Sequence, residues 1–198
     1  MKKITFFAIA MLAFTGVFAQ FNQGRMLVGG SAEFSTDTDK DKDGGTTVTN
    51  YTVTSLSISP SFGYFVIDNL AVGASLGLGV SKLNDRSDNN FDYDYSSNSI
   101  QFAPFVRYYL PVGVFFQGKF GFGKQKTNYE SDNIPDNKYN TSGLSLSTGY
   151  VIFLTDNVAI EPELGYQVKK SKETDSSEKD INSGIFLRIG FQIYLGNK

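Results

Sequence analysis

A strict two-residue alternation of apolar and small side chains constrains this chain more than any other feature. In the clearest segment, Leu70, Val72, Ala74, Leu76, Leu78 and Val80 alternate with Gly73, Ser75, Gly77, Gly79 and Ser81. Successive side chains of a β-strand point to opposite faces, so this pattern predicts a strand with one apolar face and one face of glycine and serine. Eight such segments follow one another, beginning near residues 25, 56, 70, 100, 114, 144, 158 and 185, and together they predict an all-β chain.

The connections between these segments alternate in length. Tight turns of Asp, Asn, Pro and Gly are predicted at 68–69, 110–113 and 155–157, and longer polar loops at 35–46, 82–98, 126–140 and 170–180. Short turns at one end and long loops at the other are typical of an antiparallel up-and-down meander. An even number of strands brings both ends of the meander to the short-turn end.

The first nineteen residues have the organisation of a secretory signal peptide. Lys2 and Lys3 precede an apolar run over 4–18, and Val17-Phe18-Ala19 forms a cleavage site before Gln20. The alternative, a membrane anchor, requires a longer apolar run. We therefore predict a signal peptide at 1–19 and a mature barrel domain at 20–198, which is exported.

Composition excludes several functional classes. The chain has no Cys and no His, so it has no thiolate nucleophile, no disulfide framework and no His-based catalytic or zinc site. Without Lys2 and Lys3, 16 basic and 20 acidic residues leave a charge of −4, which is no footprint for nucleic acid. We predict a protein that is not an enzyme and needs no cofactor.

Two closed barrels are compatible with the alternation. A soluble lipocalin-like barrel turns its apolar face inward around a ligand, whereas a membrane barrel turns it outward to lipid. The polar face favours the membrane barrel, because glycine and serine suit a crowded interior better than a water-exposed exterior. We predict an eight-stranded antiparallel up-and-down transmembrane β-barrel, with Tyr64, Tyr108, Tyr109, Tyr150 and Tyr194 at a membrane interface.

The few charged residues on the small face have both signs, as pairing in a narrow lumen requires. They are predicted to form a lumen charge network of Glu33, Arg107, Lys119, Glu161, Glu163, Lys169 and Arg188. If the last hairpin is centred between Asp175 and Ser176, Glu163 lies opposite Arg188.

The chain resembles the small outer-membrane β-barrels of Gram-negative bacteria, of the OmpA/OmpX and porin-family type found in Bacteroidota. The likeness rests on the leader ending Phe18-Ala19-Gln20, on the repeated turn-strand pattern at 66–73 and 154–160, and on the last strand. In that strand, the resemblance identifies Arg188, Gly190, Ile193 and Leu195 as the signal read by the barrel-assembly machinery, although Leu195 replaces the usual terminal aromatic residue. It also implies outer-membrane location and a lipid environment. Unlike in full-length OmpA-type proteins, we expect no separate peptidoglycan-binding domain after the barrel.

One motif suggests a metal. Asp39, Asp41 and Asp43 precede Gly44 in a D-x-D-x-D-G pattern, the start of a calcium loop. Asn50 stands where the bidentate Glu belongs, which favours a solvated external loop. The leading interpretation of function is a narrow, side-chain-filled barrel with four long surface loops and a structural or surface-interaction role. The alternatives are a small pore or hydrophobic-ligand channel, and a soluble periplasmic binding barrel.

Overall fold

The computed structural model describes residues 21–43, 46–85, 95–129, 136–174 and 179–196. Nearly all of them belong to strands, and none of the described segments contains a helix long and apolar enough to cross a membrane. The strands are β1 (Met26–Asp43), β2 (Thr46–Ile67), β3 (Leu70–Asp85), β4 (Tyr95–Tyr109), β5 (Val114–Tyr129), β6 (Asn137–Tyr150), β7 (Ile152–Phe153), β8 (Val158–Glu173) and β9 (Lys179–Leu195).

The strands close into a barrel. From β1 to β6 each strand pairs antiparallel with the next, β6 and β7 both pair with β8, β8 pairs with β9, and β9 pairs with β1. The short β7 continues β6 after an interruption at Val151, because both pair with β8 in one register. The barrel therefore has eight strands, as the alternation predicts, and its closing seam pairs Met26–Ala32 of β1 with Ile189–Leu195 of β9.

The short turns lie at one end of the barrel, as predicted. Asn69 adopts a left-handed conformation with φ of 66° in the β2–β3 turn, and Gly113 does so with φ of 86° in the β4–β5 turn. In the third turn, the Thr155 hydroxyl accepts hydrogen bonds from the backbone N–H groups of Asn157 and Val158.

At the opposite end, the described parts of the predicted long loops are mostly continuations of the paired strands. β1 and β2 remain paired as far as Asp43 and Thr46, with a register shift between Asp39 and Lys40. Similar pairing continues to Leu83 with Tyr95 and to Lys172 with Lys179. The loop prediction was wrong over these stretches because strands beyond the membrane have no apolar face, so their alternation is invisible in the sequence.

The apolar face points outward. Leu76, Phe120 and Ile189 are 40%, 51% and 63% exposed, whereas Ser75 and Arg188 point into the barrel. The exposed apolar side chains form a continuous belt, which is the lipid-facing surface of a membrane barrel. This orientation excludes the lipocalin-like alternative, in which the same residues would enclose a ligand.

Glycine on the inner face makes room for aromatic rings. A Cβ added at Gly73 would overlap the carbonyl oxygen of Phe62 and lie 2.5 Å from the Phe105 ring. The inward-pointing Phe105 thus occupies the space that any side chain at position 73 would need. The small face is a packing requirement of the lumen.

Candidate functional site

A buried aromatic cluster closes the short-turn end of the barrel. We call it the aromatic plug and define it as Phe21, Phe65, Tyr109, Phe115 and Tyr194, which are all fully buried, with Leu27 packed against them. Phe21 lies before β1 and stacks on Tyr109 with ring centroids 4.3 Å apart. The plug fills the lumen with side chains contributed by β2, β4, β5, β9 and the segment before β1.

Two predicted interface tyrosines belong to this plug. Tyr64 and Tyr108 are 43% and 47% exposed and face outward, but Tyr109 and Tyr194 point into the barrel. Their interfacial assignment was wrong. Residues two apart on a strand share a face, and this rule predicts the correct orientation. Tyr109 lies two residues from the inward-facing Arg107, and Tyr194 lies two residues from the inward-facing Gln192.

The segment before β1 is bound to the barrel end by hydrogen bonds. The carbonyl oxygen of Phe21 accepts from the Asn69 N–H at 2.7 Å, and the Gly24 N–H donates to the Phe65 carbonyl at 2.9 Å. Arg25 is buried and donates from Nη2 to Asn157 Oδ1 and to the Tyr194 carbonyl. Sequence reasoning missed Phe21 and Arg25 because neither lies within the alternating part of a strand.

A buried ion pair lies directly above the plug. Arg107 Nη1 is 2.7 Å from Glu161 Oε2, and both side chains are buried. The Tyr194 hydroxyl donates to Glu161 Oε1 at 2.6 Å, and Arg107 Nε donates to Gln117 Oε1 at 2.9 Å. The Arg107 guanidinium also lies 4.3 Å from the centroid of the Phe115 ring. The ion pair is thus tied to the plug through both its members.

A second charged group lies one layer further from the plug. Arg188 is 3.5 Å from Glu33 Oε2 and 3.9 Å from Glu163 Oε1, and the β8–β9 register places Glu163 opposite Arg188. Gln117 Nε2 donates to Glu163 at 3.3 Å and connects the two layers. A void of about 20 Å³ between the layers has room for one water molecule.

Lys119 and Lys169 are the remaining predicted members of the charge network. Among the described residues, neither has a carboxylate oxygen within 4.0 Å of its ammonium group. Both line a recess of about 30 Å³, together with Gln101 and Gln167. The structure therefore brings five of the seven charged residues into ion pairs and leaves the two lysines together on the lumen wall.

The outer half of the lumen is hollow and polar. A cavity of about 190 Å³ adjoins the recess, and its wall consists mainly of serine, glutamine and glycine, with Glu33, Lys169 and Arg188. A second cavity of about 480 Å³, lined by Tyr95, Tyr129 and Tyr139 among other residues, lies nearer the hairpin end and shares Gln125 and Ser171 with the first. The shared residues make the two cavities neighbours along one polar lumen.

The remaining predicted residues are those of the assembly signal and of the calcium motif. Arg188 and Gly190 face the lumen, whereas Ile193 and Leu195 lie on the outer face of β9. Asp39, Asp41 and Asp43 belong to β1, which is extended and paired to β2. Gly44, which completes the calcium motif, lies outside the described residues, so calcium binding at this hairpin stays a prediction. The described residues contain no cluster of three or more metal-ligating side chains.

The closed barrel, its apolar belt and its polar interior define an outer-membrane β-barrel. The family model described as outer membrane protein beta-barrel domain matches residues 5–182, and the chain belongs to this family of the bacterial outer membrane.

One of two similar solved structures supports the fold. The outer membrane protein OprG from Pseudomonas aeruginosa is 13% identical with a TM-score of 0.56, and the match covers 89% of this chain and 98% of that one. Neisserial surface protein A is 17% identical with a TM-score of 0.46, covering 86% and 97%. A search of curated proteins gives no match.

Proposed function

We propose that this protein is a non-conducting outer-membrane barrel with a structural or surface-interaction role. The observation that carries the proposal is the Arg107–Glu161 pair, 2.7 Å apart and buried on top of the aromatic plug. Side chains fill the short-turn half of the lumen. A hydrated ion would have to displace both the aromatic plug and the ion pair above it to pass. Short turns face the periplasm in this architecture, so the seal is periplasmic and the hollow half faces outward.

The outward half carries the function in this proposal. Four hairpins project from the membrane, and several remain paired well beyond the apolar belt. Binding residues concentrate on segments that a rigid scaffold presents, so these extended strand pairs favour contact with molecules at the cell surface. No His or Cys is present to support catalysis of the common kinds, which favours a non-enzymatic role.

The last strand supports assembly by the barrel-assembly machinery. Ile193 and Leu195 lie on the outer face at the end of β9, next to β1 at the seam where the barrel closes. A seam strand with an exposed apolar face is what such machinery can bind before the barrel closes.

Single-channel recording in planar lipid bilayers tests the proposal. The purified native barrel is expected to give no unitary current steps, and the same preparation should show the heat-modifiable gel mobility of a folded barrel. Discrete steps from the native protein would overturn the seal.

Discrete steps would instead favour a second candidate function, a small pore. The polar cavities in the outer half are the observation that supports it. Their serine and glutamine lining suits water-soluble solutes and argues against a hydrophobic-ligand conduit through the lumen.

A further inference from the structure

We infer that the recess beside Lys119 and Lys169 binds the carboxylate, sulfate or phosphate group of a small solute that enters from the outside. The inference rests on the proposed function, because a seal at the short-turn end leaves the site accessible from the hairpin side of the barrel. It adds a ligand class to the hollow half of the lumen.

Charge balance in the described lumen is the first argument. Between the plug and the 190 Å³ cavity, the inner face carries the cations Arg107, Lys119, Lys169 and Arg188 and the carboxylates Glu33, Glu161 and Glu163. Each carboxylate has an oxygen within 4.0 Å of an arginine nitrogen. Glu161 pairs with Arg107, and Glu33 and Glu163 pair with Arg188. Four cations against three carboxylates leave one positive charge in excess, and the two lysines are the cations that have no carboxylate oxygen within 4.0 Å to compete with an anion.

The neutral groups of the recess are the second argument. Gln101 and Gln167 line it beside the lysines, and their amides can donate hydrogen bonds to an oxyanion. Gly121 makes room for one of them, because a Cβ there would lie 2.7 Å from Gln101 Cδ and Nε2. The side chain of Gln101 is therefore held against the β5 wall at the level of the recess.

Size and access are the third argument. The recess of about 30 Å³ shares Gln101, Gln167 and Lys169 with the 190 Å³ cavity. One anionic group fits the recess while the remainder of a small molecule occupies the cavity. Ser171 and Gln125 connect this cavity with the wider one near the hairpin end, which provides the path from outside.

Isothermal titration calorimetry on the folded full-length barrel in neutral detergent at low ionic strength tests the inference. The probes are succinate, sulfate and inorganic phosphate, with uncharged succinamide as the matched neutral control. We expect saturable binding near one site per barrel for at least one anion and none for succinamide. Absence of saturable binding by all three anions would overturn the site.

Variants locate the binding. Lys119→Gln should weaken it about 10- to 100-fold, because it removes a charged hydrogen-bond donor, while Lys119→Arg should retain most of it. Lys124→Gln is the control, since Lys124 lies on the outer face of the same strand. Folding of each variant is checked by heat-modifiable mobility, and Lys169→Gln provides a second test of the recess. Unchanged affinity in both Lys119→Gln and Lys169→Gln would contradict the inference.

Conductance recorded on the same preparation separates the two proposals. If no anion binds and no current steps are recorded, only the anion site is overturned. Current steps overturn the sealed barrel, whatever the calorimetry shows.

Discussion

Phe21 stacks on Tyr109 with an interplanar angle of 22°, although Phe21 lies outside every strand of the barrel. The ring of Phe21 also lies 5.8 Å from that of Tyr194, so it joins the first part of the described chain to β4 and β9. A residue next to the predicted signal cleavage site thus completes the buried core at the short-turn end.

Replacing Phe21 should therefore destabilise the whole barrel. Phe21→Ala removes a fully buried ring and should lower the free energy of unfolding by about 3–5 kcal/mol. Phe21→Leu keeps most of the apolar volume and should cost less than about 1.5 kcal/mol. Urea unfolding in lipid vesicles, followed by gel mobility, measures both. Equal stability of Phe21→Ala and the native barrel would show that the Phe21 ring does not pack in the aromatic plug.

The Arg107–Glu161 pair should be strongly coupled to stability. Removing one partner with Glu161→Gln or Arg107→Met leaves a buried charge and should cost about 3–5 kcal/mol, more than half of which the double variant should recover. The exposed pair of Lys126 with Asp136, 2.8 Å apart, is the control, and its loss should cost about 0–1 kcal/mol. A double-variant cycle by urea unfolding measures the coupling, and a coupling energy near zero at Arg107–Glu161 would refute the pair.

Two glycines on the inner face should respond oppositely to a methyl group. Gly73→Ala pushes a Cβ into the Phe62 carbonyl and the Phe105 ring and should destabilise the barrel by about 1–3 kcal/mol. A Cβ at Gly184 meets nothing within 4 Å, so Gly184→Ala should be neutral or slightly stabilising. Thermal shifts of the gel-mobility transition compare the two, and similar shifts would contradict the described packing.

Depth in the membrane should govern the cost of a charge on the outer face. Leu76 lies near the middle of the apolar belt, so Leu76→Lys should cost about 2–4 kcal/mol. Ile181 lies near the hairpin end of β9, and Ile181→Lys should cost about 0–1 kcal/mol. Refolding equilibria in vesicles measure the loss of folding free energy for both variants. Equal losses would contradict the position of the apolar belt around Leu76.

The alternation predicted the strands and their orientation because each position in a spanning strand faces either lipid or the lumen. Leu76 and Ser75 are consecutive and take opposite sides. The same rule predicted that Glu163 lies opposite Arg188, which the register confirms. Beyond the belt both faces of a strand are wet, so the extension of β1 to Asp43 left no apolar pattern to read.

The aromatic plug could not be predicted from the sequence, for two different reasons. Tyrosine suits both a membrane interface and a buried cluster, and only strict parity with Arg107 distinguishes Tyr109 from its neighbour Tyr108. Phe21 has no parity at all, because its position depends on hydrogen bonds to the Asn69 turn. The arrangement of Arg107, Glu161 and Tyr194 likewise depends on register across four or more strands, which no local pattern specifies.

Cysteine labelling tests whether the lumen is open to the outside and sealed toward the periplasm. The chain has no cysteine, so single residues can be introduced cleanly. Ser171→Cys lines both outer cavities and should react on intact cells with a membrane-impermeant maleimide, whereas Ala159→Cys, buried against the plug, should not. Rapid labelling of Ala159→Cys from either side, or none of Ser171→Cys from the cell surface, would contradict the account.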